Sequence, residues 1–493
     1  MNTRAKPLLA ELTTISLESR SNEPKFKALY RELRQAILAG RFKSETRLPS
    51  TRSLALQLSV GRNTVLSAFD QLIAEGYLET RKGAGTYVAS ELPDHWISAK
   101  PLNKKSSVKK SEAIALSNYG KTLNKESIRS EYGNQSFAVG VPDLKAFPHK
   151  TWNQIATQIS PTGLSGLMGY DDPKGYQPLR EAIADYVSSS RAVNCSPDQV
   201  LVTCGAQQAL DLCARLLLDT HDIAAMENPG YIGARRALTA TGAKVELCPV
   251  DDHGINISPL KKLSNPPKLL YVTPAHQYPL GAMLPLERRL SLLEWATENN
   301  CWIIEDDYDS EYHYQNRPIA SLQGLAGNDQ VIYMGSFSKV LFPSLRLGYL
   351  ILPPSLMPIF TCARQEHSGL IPIHSQAVTA EFMQQGHFGR HLRKMRVLYA
   401  EKLDCLLKAC EQLKPWCTVH ALGAGMHLAL EFNSKMSESE VSKKLQQQGV
   451  LHSRLSHYYQ GQSKKQGLVL GFANSSLNQI NTGITDIRNV LNS

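Results

Sequence analysis

No run of about 20 apolar residues occurs in this 493-residue sequence, so none is long enough to cross a bilayer as a helix. Met1 to Leu12 also lack an apolar stretch of signal-peptide length, and a cytoplasmic location without membrane contact is expected. The nine cysteines are odd in number and include no C-x-x-C pair, which argues against a disulfide framework or a zinc ribbon. His387 and His391 have the spacing of a helical metal pair, but Phe388-Gly389-Arg390 between them lacks the glutamate of a zincin. No metal is expected, and both are read as helix-surface histidines.

Net charge is also scarce, except at one end. Residues 1–110 hold 19 Lys+Arg against 10 Asp+Glu, whereas the other 383 hold 35 against 34. A basic N-terminal unit of this kind suits a polyanionic partner, with a merely solvated surface as the alternative. The length and a 42% hydrophobic content imply at least two globular units.

Residues 24–90 read as the basic unit. Leu29, Leu33 and Ile37 give one helix an apolar face that ends at Gly40. A second helix starts at Ser50 or Thr51, turns Leu54, Ala55 and Leu58 inward, and breaks at Ser59-Val60-Gly61. A third turns Val65, Phe69, Leu72 and Ile73 inward and stops at Gly76. Its opening residues, Arg62, Asn63 and Thr64, with Ser67, have the polar and forked basic side chains that base edges and phosphates require. Strand-like runs 77–80 and 86–89 flank Arg81-Lys82-Gly83-Ala84-Gly85, a wing whose two cations are expected to be free for phosphates. Residues 91–113 carry Lys100, Lys104, Lys105, Lys109 and Lys110 among serines and read as a flexible tether reaching about 25 Å.

Residues 114–493 alternate strand-like runs with helices, the pattern of an α/β fold around a mainly parallel sheet. Chemistry in such folds gathers at the carboxyl ends of strands. Three runs sit at such ends. Gly205-Ala206-Gln207 opens a helix and suits a phosphate. Glu305-Asp306-Asp307-Tyr308-Asp309 offers carboxylates, and a carboxylate beside a pyridine nitrogen keeps that nitrogen protonated. Ser336-Phe337-Ser338-Lys339, with Arg346 beyond it, offers an amine, hydroxyls and a fixed cation.

Taken in order, these runs resemble the fold-type I aminotransferases. The head, through Arg47-Leu48-Pro49-Ser50-Thr51-Arg52-Ser53-Leu54-Ala55 and Arg62-Asn63-Thr64-Val65, resembles the winged helix-turn-helix of GntR-type regulators. Together they resemble the MocR/GabR subfamily of GntR regulators, which includes pyridoxine-biosynthesis regulators. The resemblance implies pyridoxal 5′-phosphate as cofactor. Lys339 would carry it as the internal aldimine, Asp306 would pair with the ring nitrogen, Tyr308 would reach the ring hydroxyl, and Tyr231 would stack on the ring. Ser336, Ser338, Arg346 and Gly205, Ala206 and Gln207 would hold the phosphate, joined by Tyr170 from a second subunit of a homodimer. Arg47, Arg52, Arg62, Asn63 and Thr64, with Lys82 and Gly83 of the wing, would meet double-stranded operator DNA.

Two departures bear on the signal. Tyr278-Pro279-Leu280-Gly281 stands where ordinary aminotransferases carry N-P-T-G, so the asparagine that steadies the ring hydroxyl is missing, with Gln277 or His276 as substitutes. Val469 stands where amino-acid-binding members place a carboxylate-clamping arginine; Arg235 or Arg236 is the alternative source of a clamp. Losing a bidentate arginine removes about 1.5–3 kcal/mol. A regulator sensing pyridoxal phosphate, or an amine joined to it, is therefore the leading expectation, with a working aminotransferase carrying a DNA-binding head as the alternative.

Overall fold

The computed structural model describes residues 24–93, 116–125, 135–167, 169, 172–314, 320–326, 329–369, 371–421, 423–433, 436–461 and 465–493. They divide into two units, one within Met1–Ala115 and one within Leu116–Ser493. Among the described residues no helix is long and apolar enough to cross a membrane.

In the first unit, apolar residues spaced by three and four give each of three helices one buried stripe, and the stripes close on one core. Helix α1 (Lys25–Leu38) buries Leu29, Leu33 and Ile37, α2 (Thr51–Gln57) buries Leu54 and Ala55, and α3 (Arg62–Ala74) buries Val65, Phe69 and Leu72. Ser50 starts α2, its hydroxyl accepting the Ser53 N–H at 3.1 Å. Leu58 and Ile73, expected inside, are only partly covered at the core's edge. Strands β1 (Leu78–Arg81) and β2 (Gly85–Val88) pair antiparallel from Leu78↔Val88 to Arg81↔Gly85. Gly83 at φ +74° and Gly85 at φ +116° make the turn between them. Leu92, within the stretch read as tether, is buried in this core; residues 94–113 of that tether lie outside the described residues.

The second unit is built on an eight-stranded sheet in the order β3-β10-β9-β8-β7-β4-β5-β6. Its strands are β3 (Val200–Thr203), β4 (Ile223–Asn228), β5 (Lys244–Asp251), β6 (Gly254–Ile255), β7 (Leu269–Val272), β8 (Trp302–Asp307), β9 (Val331–Ser336) and β10 (Gly348–Ile351). From β5 through β4, β7, β8 and β9 the neighbours run parallel, whereas β10 is antiparallel to both β9 and β3. Fully buried Val, Leu, Ile and Tyr at β3, β7 and β9 are what a sheet covered on both faces needs. Helix α4 (Gln177–Arg191) packs against β3, and α5 (Ala206–Leu217) follows β3. A second, antiparallel sheet, β11 (Cys417–His420), β12 (His427–Phe432), β14 (Gly467–Gly471) and β13 (Ser453–Arg454) in that order, completes the unit. The fold is thus a winged helix-turn-helix plus an α/β body with a mainly parallel, mixed sheet.

Candidate functional site

The carboxyl ends of β3, β4, β7, β8 and β9 lie on one edge of the large sheet, and antiparallel β10 starts there. Side chains just beyond those ends therefore converge. Gly205, after β3, has φ +82° and ψ 175°, a conformation that favours glycine, and begins α5. A Cβ on Gly348 would stand 2.9 Å from the Gly205 Cα, so β10 and this turn approach as only glycines allow. Arg346, just before β10, donates to the Cys204 carbonyl at 3.2 Å, its guanidinium carbon 3.7 Å from where a Gly205 Cβ would stand. A strained turn, a helix N-terminus and a cation are here together. The Gln207 side chain donates to the Gly233 carbonyl at 3.1 Å, leaving Ala206 and Gln207 to offer backbone to this cradle. Ser336 accepts the Ser338 N–H through its hydroxyl at 3.2 Å, closing the turn that leads to Lys339.

Lys339 donates to the Gly140 carbonyl at 2.9 Å. Gly140 has φ +72°, and a Cβ there would fall 2.3 Å from the amine nitrogen. Burial pulls the amine below its ordinary range, against the attraction of Asp309 and Asp306. Asp306, buried at the end of β8, accepts from the Tyr271 hydroxyl of β7 at 2.6 Å. Burial pushes its carboxyl up to about 7; the Tyr271 hydrogen bond and Lys339 act the other way, and Asp307 and Asp309 add to the rise. Glu227, at the end of β4, is likewise pushed up to about 7 by burial while accepting from the Thr273 N–H and hydroxyl.

Aromatic rings form the opposite wall. Tyr231 meets Tyr278 edge-on at 5.9 Å, and Tyr278 meets Tyr308 at 5.6 Å, Tyr458 at 5.2 Å and His427 at 5.1 Å. The Gln277 amide is spent on its neighbours: its nitrogen donates to the Pro229 and Tyr278 carbonyls at 2.8 Å and to the Glu227 carboxylate at 3.4 Å, and its oxygen accepts the Leu280 N–H at 3.1 Å. It braces two loops, and His276, bonded to Tyr308 and Asp309, is the neighbour turned to the site. Val469, fully buried opposite Ala429 in β12, packs with Leu455, Tyr458 and Tyr459. With the Gln460 amide turned so that its oxygen faces the guanidinium, Arg235 donates to that oxygen through Nη1 and Nε at 2.5 and 2.9 Å. Tyr170 lies outside the described residues. His391, expected on a helix surface, is buried and donates to the Val340 carbonyl at 3.0 Å, while His387 is half-buried.

In the head, Arg62, Asn63 and Thr64 form the first turn of α3, with the first two exposed, and Arg52 is exposed on the first turn of α2. Arg47 bridges to Tyr87 of the wing, and its guanidinium would lie 3.1 Å from a Gly85 Cβ. Lys82 and Gly83 are exposed at the wing tip. Arg81 is not the free cation expected. It pairs with Glu79 at 2.5 Å and Glu45 at 3.2 Å and covers the Tyr87 ring at 4.6 Å, because its strand position directs it back along the sheet.

The sequence reading passed over Gly140, Tyr271 and His427. Gly140 sits in Phe137-Ala138-Val139-Gly140-Val141-Pro142, far along the chain from Lys339, and only its positive φ and close approach mark it. Tyr271 carried a usable signal, a polar-tipped ring in the middle of an otherwise apolar strand.

Asp306 has a stability signature. In the ligand-free protein its raised carboxyl holds a proton that the unfolded chain releases above its ordinary value near 4. Native stability owed to this group is thus complete below pH of about 4 and lost as pH rises towards about 7. Asp306→Asn removes that loss. The urea midpoint of the wild type, measured relative to the variant, is expected to fall between pH of about 4 and 7 and then level off; a constant difference would contradict the assigned direction.

Known proteins resemble the chain in both units. Residues 142–482 match the family of aminotransferases of class I and II, and residues 25–88 match the gntR family of bacterial regulatory proteins. The probable rhizopine catabolism regulatory protein MocR of Rhizobium meliloti is 39% identical over 474 residues, covering 96% of this chain and 94% of the relative. The pyridoxine biosynthesis transcriptional regulator PdxR of Corynebacterium glutamicum is 30% identical over 447 residues, 90% and 91% of the two chains. Among solved structures, the α-aminoadipate aminotransferase LysN of Thermus thermophilus, complexed with N-(5′-phosphopyridoxyl)-L-leucine, superposes with a TM-score of 0.72 at 27% identity. That match covers 76% of this chain and 97% of LysN.

Proposed function

The chain belongs to the MocR type of gntR-family transcription regulators, with a helix-turn-helix head and an aminotransferase-like body, and from that premise we propose that the body binds pyridoxal 5′-phosphate and conveys the state of that site to the head. One observation carries the reading. Among the described residues no cation pairs with the buried Asp306 carboxyl, which shares one sheet edge with the Lys339 amine and the Gly205–Arg346 cradle. A pyridinium N–H would supply the missing partner for Asp306, and a phosphate would meet the helix N-terminus, Ser336, Ser338 and Arg346.

When bound, the cofactor supplies an electron-poor ring and an aldehyde able to condense with amines. The chain's own groups do the rest. Lys339 provides the amine that holds the aldehyde, and its lowered proton affinity keeps more of it in the neutral, nucleophilic form. Tyr231 and Tyr278 would wall the ring, and Tyr308 would face its hydroxyl edge. The apolar surroundings of Val469 favour the cofactor itself, or an amine without a carboxylate, over a free amino acid. Tyr170 would come from the second copy of a homodimer. In the head, Arg62, Asn63, Thr64 and Arg52 would enter the major groove, and Arg47, Lys82 and Gly83 would meet the backbone beside it.

The test is binding of the full chain to DNA from its own upstream region, stripped of cofactor and then resaturated, with cofactor-dependent affinity as the expected result. Identical binding in both states would refute the coupling. For a dimer engaging about 8 phosphates, affinity is expected to fall by about four decades between 50 and 200 mM salt. A flat salt response would remove the assignment of residues 24–90 to DNA.

A further inference from the structure

The imidazole of His276 is held by groups that decide where the hydrogen of Tyr308 points. Its Nδ1 lies 2.9 and 3.2 Å from the two carboxylate oxygens of Asp309 and 2.9 Å from the Tyr308 hydroxyl oxygen. The Asp309 carboxylate accepts and does not donate, so Nδ1 carries a hydrogen. One nitrogen cannot both donate there and accept, so the Tyr308 oxygen shares this N–H as an acceptor, and its own hydrogen has no acceptor among the described residues. The ring fits closely against two glycines. A Cβ on Gly425 would fall 2.0 Å from His276 Cε1, and one on Gly281 would fall 3.1 Å from Nε2. The His276 and Tyr308 rings lie nearly parallel, 29° apart with centroids at 5.9 Å.

We infer that Asp309 and His276 form a positioning pair that turns the Tyr308 hydroxyl hydrogen into the site, where it is donated to an oxyanion on the ligand. This rests on the cofactor reading above, in which that oxyanion is the ring oxygen of pyridoxal phosphate. The other charged or titratable groups facing Tyr308 are Asp306, Glu227 and Tyr278, with Lys339 beside Asp306 and Asp309. His427, across from His276 at 5.1 Å, donates its Nε2 hydrogen to the Pro279 carbonyl at 3.2 Å. A donor on the ring oxygen stabilises its anionic form and so lowers the affinity of the bound chromophore for a proton.

The experiment is a pH titration of the visible absorbance of the full-length protein loaded with pyridoxal phosphate. Tyr308→Phe is expected to raise the apparent pKa of the bound chromophore by about 1 unit. His276→Leu should raise it similarly, and His276→Asn, which keeps an N–H donor near the Nδ1 position, should hold the wild-type value. Asp309→Asn provides a second route if the leucine variant fails to fold. Loss of its negative charge alone lowers the chromophore pKa, whereas release of Tyr308 raises it, so the change is compared with and without Tyr308→Phe. A more positive shift in the Tyr308 background supports the pair. Equal shifts in both backgrounds, or a wild-type value in His276→Leu beside a shifted Tyr308→Phe, would overturn it. A wild type that forms no protein-bound visible band overturns the cofactor reading, and this inference with it.

Discussion

Lys339→Ala is expected to abolish the protein-bound visible band given by pyridoxal phosphate and to make DNA affinity indifferent to the cofactor. In the reading proposed above this amine would hold the aldehyde, and its removal would leave only phosphate and ring contacts. A ligand shifts an equilibrium only by its differential affinity for the two states. If couplings of ordinary size operate, the wild type should change its DNA affinity by about 5–150-fold on loading, whereas the alanine variant should stay within about twofold of no change. The substitution also strips the Gly140 carbonyl of its donor, which costs about 1 kcal/mol and leaves the fold standing. Lys339→Gln keeps a donor near that carbonyl and removes only the nucleophile. Both variants are measured by absorbance and by DNA titration at one salt concentration. A response that survives in both would show that covalent attachment plays no part in the signal.

The sequence was most legible where local pattern and local chemistry coincide. Strands β3, β4, β7, β8 and β9 are apolar runs followed by turn residues, so their ends, and with them Gly205, Asp306 and Lys339, were readable at once. Strand β10 was not, since Gly348-Tyr349-Leu350-Ile351 is short and follows a loop, and its antiparallel course depends on two neighbours far away in sequence. The second sheet escaped for the same reason: β13 is two residues long and exists only through its pairing with β14. Gly140 and Asp309 show a further limit. Their roles come from contacts at sequence separations of 199 and 33 residues, and no spacing rule encodes those. The aspartate run at 306 and 307 lies between these cases. Its position was plain, but the sequence alone gave no account of what its second member does.

Alternation along β8 supplies that account, because successive side chains of a strand point to opposite faces. Asp306 turns to the site and Asp307 turns away, where its Oδ2 accepts from Arg191 Nε at 2.9 Å and from the Tyr333 hydroxyl at 2.5 Å. Asp307 and Arg191 are both buried, and Arg191 sits in the last turn of α4, so the pair fastens that helix to the strand bearing Asp306. Arg191, drawing on its charge, holds the Asp307 carboxyl below its ordinary range despite burial. Asp307→Ala would take from a buried guanidinium the carboxylate it hydrogen-bonds, leaving it only the attraction of buried Glu311, and a loss of about 3–5 kcal/mol is expected, read from urea unfolding followed by the tryptophans of the body. Four of them, Trp152, Trp295, Trp302 and Trp416, lie in that unit. The charge, more than the contact, should carry the effect. An Arg191→Met/Asp307→Leu double variant removes both ions at once and should regain most of the loss, since a buried pair is often replaceable by apolar groups of similar volume. If the double variant is as unstable as Asp307→Ala, the cost lies in shape and in the orphaned Tyr333 hydroxyl. If Asp307→Ala is itself within about 1 kcal/mol of wild type, the pair does not anchor β8, and the placement of Asp306 must come from Tyr271 alone.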